Sequence, residues 1–72
     1  MTATLSIERL RQELVDVLVS LDVGVSPAAF RLRPKEAFTQ AARKLSLRLP
    51  VREDWLEDYN SLRSLLRAAE AL

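Results

Sequence analysis

The stretch LVDVLVSLDVGV, residues 14–25, decides the fold, because it supports two incompatible readings. Val15, Val17, Val19, Leu21, Val23 and Val25 alternate with mostly polar or small residues, which is the period of a half-buried strand. Against this, Ile7, Leu10, Leu14, Val17, Leu18 and Leu21 recur at spacings of three and four and form one apolar stripe of a helix. The helical period starts earlier in the chain, and a lone strand here has no partner. We therefore expect a helix over residues 6–22. Thr4 or Ser6 supplies its cap, Glu8 lies in its first turn and Gly24 stands just past its end.

Working outward, the punctuation is sparse: one glycine and three prolines, with Gly24, Pro27, Pro34 and Pro50 all between segments of helical period. Ser26-Pro27 reads as a cap followed by a first-turn proline, starting a short turn through Phe30. Arg33 precedes Pro34 and is biased away from helix. A further helix is expected from Pro34 to about Leu45, with Phe38, Ala41, Ala42 and Leu45 inward and Lys35, Thr39 and Arg43 on another face. Leu45, Leu47, Leu49 and Val51 then alternate with Ser46, Arg48 and Pro50, as in a short extended bridge laid over the core. The last helix is expected to open with the acids Glu53, Asp54, Glu57 and Asp58 and to carry Arg63 and Arg67 later, in the order the macrodipole favours. Its stripe Trp55, Tyr59, Leu62, Leu66 and Ala69 has heptad spacing, widened by Leu56 and Leu65. This seam suits packing on the first helix, or dimerisation. The expectation is an all-α fold, a small bundle of three to four helices with short Pro/Gly-punctuated connections, forming one domain over residues 1–72.

Composition narrows the function. A 72-residue chain buries only about 60% of the surface it exposes unfolded and is marginal without help. There is no cysteine and no histidine, which removes disulfides, thiolate ligands, the commonest metal ligand and the commonest general base. None of Ser6, Ser20, Ser26, Ser46, Ser61 and Ser64 has a histidine to activate it, and a single glycine makes no phosphate loop. The pairs Glu53–Glu57 and Asp54–Asp58 could hold a hard cation, but read first as a solvated, acid-capped helix start. No catalytic residue, cofactor, metal or small-molecule substrate is expected, and the chain is read as no enzyme. The run of residues 14–25 is too short and too charged to span a bilayer, which takes roughly 20 apolar residues. Nothing at the start reads as a secretory signal, so a soluble cytoplasmic protein is expected.

Charge is the one pointer to a partner. Between Arg31 and Arg52 seven basic residues (Arg31, Arg33, Lys35, Arg43, Lys44, Arg48 and Arg52) face one acid, Glu36, a net +6. Residues 1–30 carry −2 and residues 53–72 carry −3, so the overall +1 conceals a basic middle between acidic ends. Three readings stay open: the basic middle pairs with its own acidic neighbours, docks on an acidic protein or a second copy, or binds nucleic acid. For the last, the stretch Thr39–Tyr59, with Ala42, Leu45, Leu47, Val51, Trp55 and Leu56, resembles a helix-turn-helix. Ser46 stands where a turn glycine is usual, and four acids would open the recognition helix and repel phosphate. The leading expectation is a non-enzymatic interaction module: a small subunit, adaptor or regulator. Its partner-binding residues are the cations Arg31, Arg33, Arg43, Lys44, Arg48 and Arg52 and the apolar anchors Trp55, Tyr59, Leu62 and Leu66. A nucleic-acid-binding regulator using the same cations is the alternative.

Overall fold

The computed structural model describes residues 3–72, with side chains from residue 7 onward. About 70% of it is helical, and among the described residues there is no strand. Four α-helices follow one another: α1 (Ala3–Ser20), α2 (Pro27–Leu32), α3 (Pro34–Lys44) and α4 (Tyr59–Glu70), with one 3-10 turn, Trp55–Glu57, ahead of the last. The all-α reading holds.

Residues 14–20 are helix, so the three-and-four period wins over the alternation, because its residues meet the core. Leu14 and Leu18 are fully buried, and Ile7, Leu10, Val17 and Leu21 pack against them in part. The helix differs from expectation at both ends. It already includes Thr4 and Ser6, whose side chains lie outside the described residues, and Glu8 lies beyond its first turn. At the other end Asp22, not Gly24, takes the first left-handed position, with φ 54°, and its N–H bonds the Val19 carbonyl at 3.1 Å. Aspartate tolerates that conformation better than most residues. Gly24 follows with φ 77°. The two reversals swing Val23 back into the core, where it is 5% exposed.

α2 runs beyond Phe30 to Leu32. Ser26 caps it as expected, its Oγ accepting from the Ala29 N–H at 3.3 Å. Arg33, at φ −138° and ψ 68°, is the single residue between α2 and α3, kept out of the helical region by the proline that follows it. α3 buries Phe38, Ala41 and Ala42 as expected, and also Ala37, while Leu45 is half-buried just past its end.

α3 ends in a Schellman motif. The Leu47 N–H bonds the Ala42 carbonyl at 2.8 Å, the Ser46 N–H bonds the Arg43 carbonyl at 3.1 Å, and Ser46 stands at φ 58°. Glycine is usual there because a Cβ is strained in the left-handed region. The bridge beyond it forms as expected: Leu45, Leu47 and Leu49 lean on the core, and Ser46 and Arg48 point out. Val51 breaks the pattern and is fully exposed.

The last helix is shorter than its sequence pattern. It begins at Tyr59, because Asp58 turns back to cap it: Oδ2 accepts from the Ser61 N–H at 3.0 Å and from the Ser61 hydroxyl at 2.7 Å. Trp55 therefore sits on the 3-10 turn and not on a heptad seam. It is 4% exposed and reaches Phe38 edge-on, with centroids 6.1 Å apart, while Phe30 meets Phe38 at 4.9 Å. α4 packs Leu62, Leu65, Leu66 and Ala69 mainly against α1. Arg11 ties α1 to the turn, its Nε donating to the Leu56 carbonyl at 2.8 Å.

Ser46 offers a direct check on this backbone. Ser46→Gly removes the Cβ strain while keeping both Schellman hydrogen bonds. It should raise stability by about 0.5–1 kcal/mol in urea unfolding. A loss of stability would mean that Ser46 does not occupy the left-handed position.

Candidate functional site

The seven cations of the basic middle are distributed over α2, α3 and the bridge, and the side chains of all seven are exposed. They divide by what they meet. Arg33 pairs with Glu36 at 3.8 Å, in the first turn of α3. Arg52 lies between Asp54 at 4.0 Å and Asp58 at 3.8 Å. Among the described residues Arg31, Lys35, Arg43, Lys44 and Arg48 make no ion pair. Pairing within the chain thus accounts for two of the seven and leaves five facing solvent.

Three of the five lie close in sequence at the C-terminal end of α3. Arg43 and Lys44 form the last turn of α3, and Arg48 follows the Schellman turn that brings the chain back over the core. Lys35 and Arg43 lie two turns apart on one face of α3, about 12 Å along its axis, with Thr39 between them, and Gln40 and Glu36 complete a shallow trough there. The Thr39 hydroxyl donates to the Lys35 carbonyl at 2.7 Å. Glu36, the trough's one acid, is the residue held by Arg33. Lys35 was not among the expected partner-binding residues, although its shared face with Thr39 and Arg43 is readable from their four-residue spacing.

The apolar anchors fare differently. Trp55, Leu62 and Leu66 are 4%, 0% and 6% exposed and belong to the chain's own core. A partner meeting this fold does not reach them. Tyr59 alone, 45% exposed, remains at the surface. The exposed aliphatic residues are Leu32 and Val51, both beside arginines, with Leu72 at the end of the chain and Val19 partly exposed.

The helix-turn-helix arrangement does not form. α3 ends at Lys44, residues 47–50 form no regular element, and the next α-helix begins at Tyr59. The segment that would have entered a groove is the 3-10 turn Trp55–Glu57. The four acids expected to open a helix precede or cap one instead, and among the described residues no group of acids converges as metal ligands. Ser61, the buried polar side chain, is used in the Asp58 cap, and no buried side-chain nitrogen or oxygen among the described residues lacks a hydrogen-bond partner. No described helix is long and apolar enough to cross a membrane. Comparison with family models, with curated proteins and with solved structures returns no match for this chain.

Asp58 is the group whose ionisation is coupled to structure. The Ser61 hydroxyl, then the Ser61 N–H, and more weakly Arg52 hold its carboxyl below the ordinary value of 3.8, against a small opposing effect of burial. A depressed folded-state pKa stabilises the fold above the unfolded value and ceases to as pH falls through the folded one. The cap should therefore hold above pH 3.8 and be lost below it. Asp58→Asn keeps much of the capping geometry but cannot titrate, so its acid unfolding curve should be flatter below that pH than the wild type's. Identical acid limbs would show that the Asp58 cap is not formed.

Proposed function

We propose that this chain is a non-enzymatic interaction module, a small subunit, adaptor or regulator, that docks on an acidic protein surface. The single observation that carries the reading is the cluster Arg43, Lys44 and Arg48. These side chains are exposed, of one sign and without an ion pair among the described residues, on a helix end whose opposite face is locked in the core. Lys35 extends the exposed charge along α3 from Arg43, and Arg31 on α2 is exposed and likewise without an ion pair among the described residues. Arg33 and Arg52 contribute less, being engaged with acids of the chain.

The apolar share of this docking is smaller than the sequence suggests, because the large helix-face residues are internal. Contact through cations with few apolar neighbours gives orientation and a fast, salt-sensitive association more than high affinity. Each exposed pair is worth only about 0–1 kcal/mol. An acidic protein suits this surface better than nucleic acid does. The chain's other faces expose Glu13, Asp16, Glu53 and Glu57, the overall charge is only +1, and no recognition helix is presented. The cytoplasm is the proposed location, compatible with a chain that has no cysteine.

Reversal of the cluster tests the reading. The triple substitution Arg43→Glu, Lys44→Glu and Arg48→Glu should change stability by no more than about 1 kcal/mol, since all three are exposed. It should abolish the binding of a polyglutamate peptide that the wild type shows at about 20 mM salt and loses by about 200 mM. Tighter binding of duplex DNA than of polyglutamate, with a steep log–log salt slope, would instead favour the nucleic-acid reading.

A further inference from the structure

Two helices of the chain carry one spacing pattern with opposite charge. On α3, Lys35, Thr39 and Arg43 follow at four-residue spacing and line the same shallow trough. On α1, Glu8, Gln12 and Asp16 follow at the same spacing. Thr39 is half-buried, and the other five are exposed. In each stripe two like charges stand eight residues, about 12 Å, apart along the axis, with an uncharged polar residue between them. The Gln12 side-chain amide donates to Asp16 Oδ1 at 3.0 Å. Among the described residues neither stripe makes an ion pair, so the two do not neutralise each other within one chain.

Neighbouring charges leave both signs in place. Beside the α1 stripe Glu13 adds an exposed acid and Arg9 an exposed cation. Arg11 also stands beside Glu8, in the groove between α1 and α2. It is half-buried, and its Nε donates to the Leu56 carbonyl. Even with Arg11 counted, the three acids of α1 outnumber its two cations. Beside the α3 stripe Glu36 is held by Arg33, and Lys44 adds a cation.

A helix laid nearly parallel to α3 keeps the same rise of about 1.5 Å per residue. Charges eight residues apart on one then meet charges eight residues apart on the other, whichever way the second helix runs. An acidic helix with that spacing fits this face, and among the described helices α1 is the one that has it. α3 and α4 each hold a single acid, Glu36 and Glu70, and α2 holds none. We propose that the acidic surface met by Lys35 and Arg43 is the α1 face of a second copy of the chain, with Glu8 and Asp16 opposite the two cations and Gln12 opposite Thr39. This rests on the reading of the α3 cations as a docking surface for acidic protein, and names that protein. The contact joins two different faces, so each copy has an α3 to give to one neighbour and an α1 to give to another. Exposed ion pairs contribute little each, so the association is weak and salt-sensitive.

Charge exchange read by sedimentation equilibrium tests it. At about 1 mM protein and about 20 mM salt the average mass should stand well above the 8.2 kDa of one chain, and should return to it at about 0.5 M salt. The α1 variant, Glu8→Lys with Asp16→Lys, and the α3 variant, Lys35→Glu with Arg43→Glu, should each stay monomeric, because each sets like charges together at both points of contact. Circular dichroism should show both folded, since all four side chains are exposed. An equimolar mixture of the two should associate again, because the substituted α1 of one matches the substituted α3 of the other. The α1 variant should bind polyglutamate as the wild type does, its α3 being untouched. A wild type that stays monomeric, single variants that still associate, or a mixture that does not, would each overturn the proposal. If polyglutamate binding by the wild type persists in that case, the docking reading stands without a second copy; if it is absent, both fall.

Discussion

Phe38 stands between Phe30 and Trp55, meeting both rings edge-on, and this aromatic row joins α2, α3 and the 3-10 turn. Phe30 comes from a six-residue helix too short to be stable by itself. Trp55 comes from a 3-10 turn at the end of a long extended connection. Each edge-to-face contact adds about 0.5–1.5 kcal/mol beyond the area it buries, and the geometry specifies where α2 and the turn must sit relative to α3. The α1–α4 pair, through Leu14, Leu18 and Leu62, closes the same core from the other side.

That arrangement determines what the surface can offer. With Trp55 drawn in to Phe38, and Leu62 and Leu66 drawn in to α1, the largest apolar side chains of the C-terminal half are internal. What faces water is mostly charge, with Leu32, Val51, Tyr59 and Leu72 as isolated apolar exceptions. The basic middle is not neutralised by the acids that follow it, because Asp58 is engaged in capping α4 and only Arg52 comes near it. The proposed docking through charge draws on this surface.

Much of the fold was legible in the residues. The stripe through Leu14 and Leu18, the Ser26-Pro27 start, the break before Pro34 and the leucine-faced bridge all follow from local periodicity and turn chemistry, and all appear. The acidic run was harder. Glu53 to Asp58 satisfies the macrodipole pattern for a helix start, yet Asp58 three residues before Ser61 is also a cap, and the cap moves the start to Tyr59. Gly24 was the obvious helix terminator, but Asp22 lies nearer the end of the apolar stripe and accepts the left-handed turn. For the surface, the shared face of Lys35 with Arg43 was readable, and the exposure of the arginines was not. Which cations are paired was not, since Arg33–Glu36 and Arg52–Asp58 depend on side-chain positions beyond any single period.

The sequence by itself determined the helical class, the punctuation and the segregation of charge, because these arise from spacing within a few residues. Only the tertiary structure decided between core and surface for Trp55, Leu62 and Leu66, because an apolar stripe looks the same whether it packs on its own chain or on another. It also decided that Glu8 and Arg11 of α1 and Arg31 of α2 line one groove. Those placements follow from how α1, α2 and α3 close around Phe38, a long-range outcome that no local pattern contains.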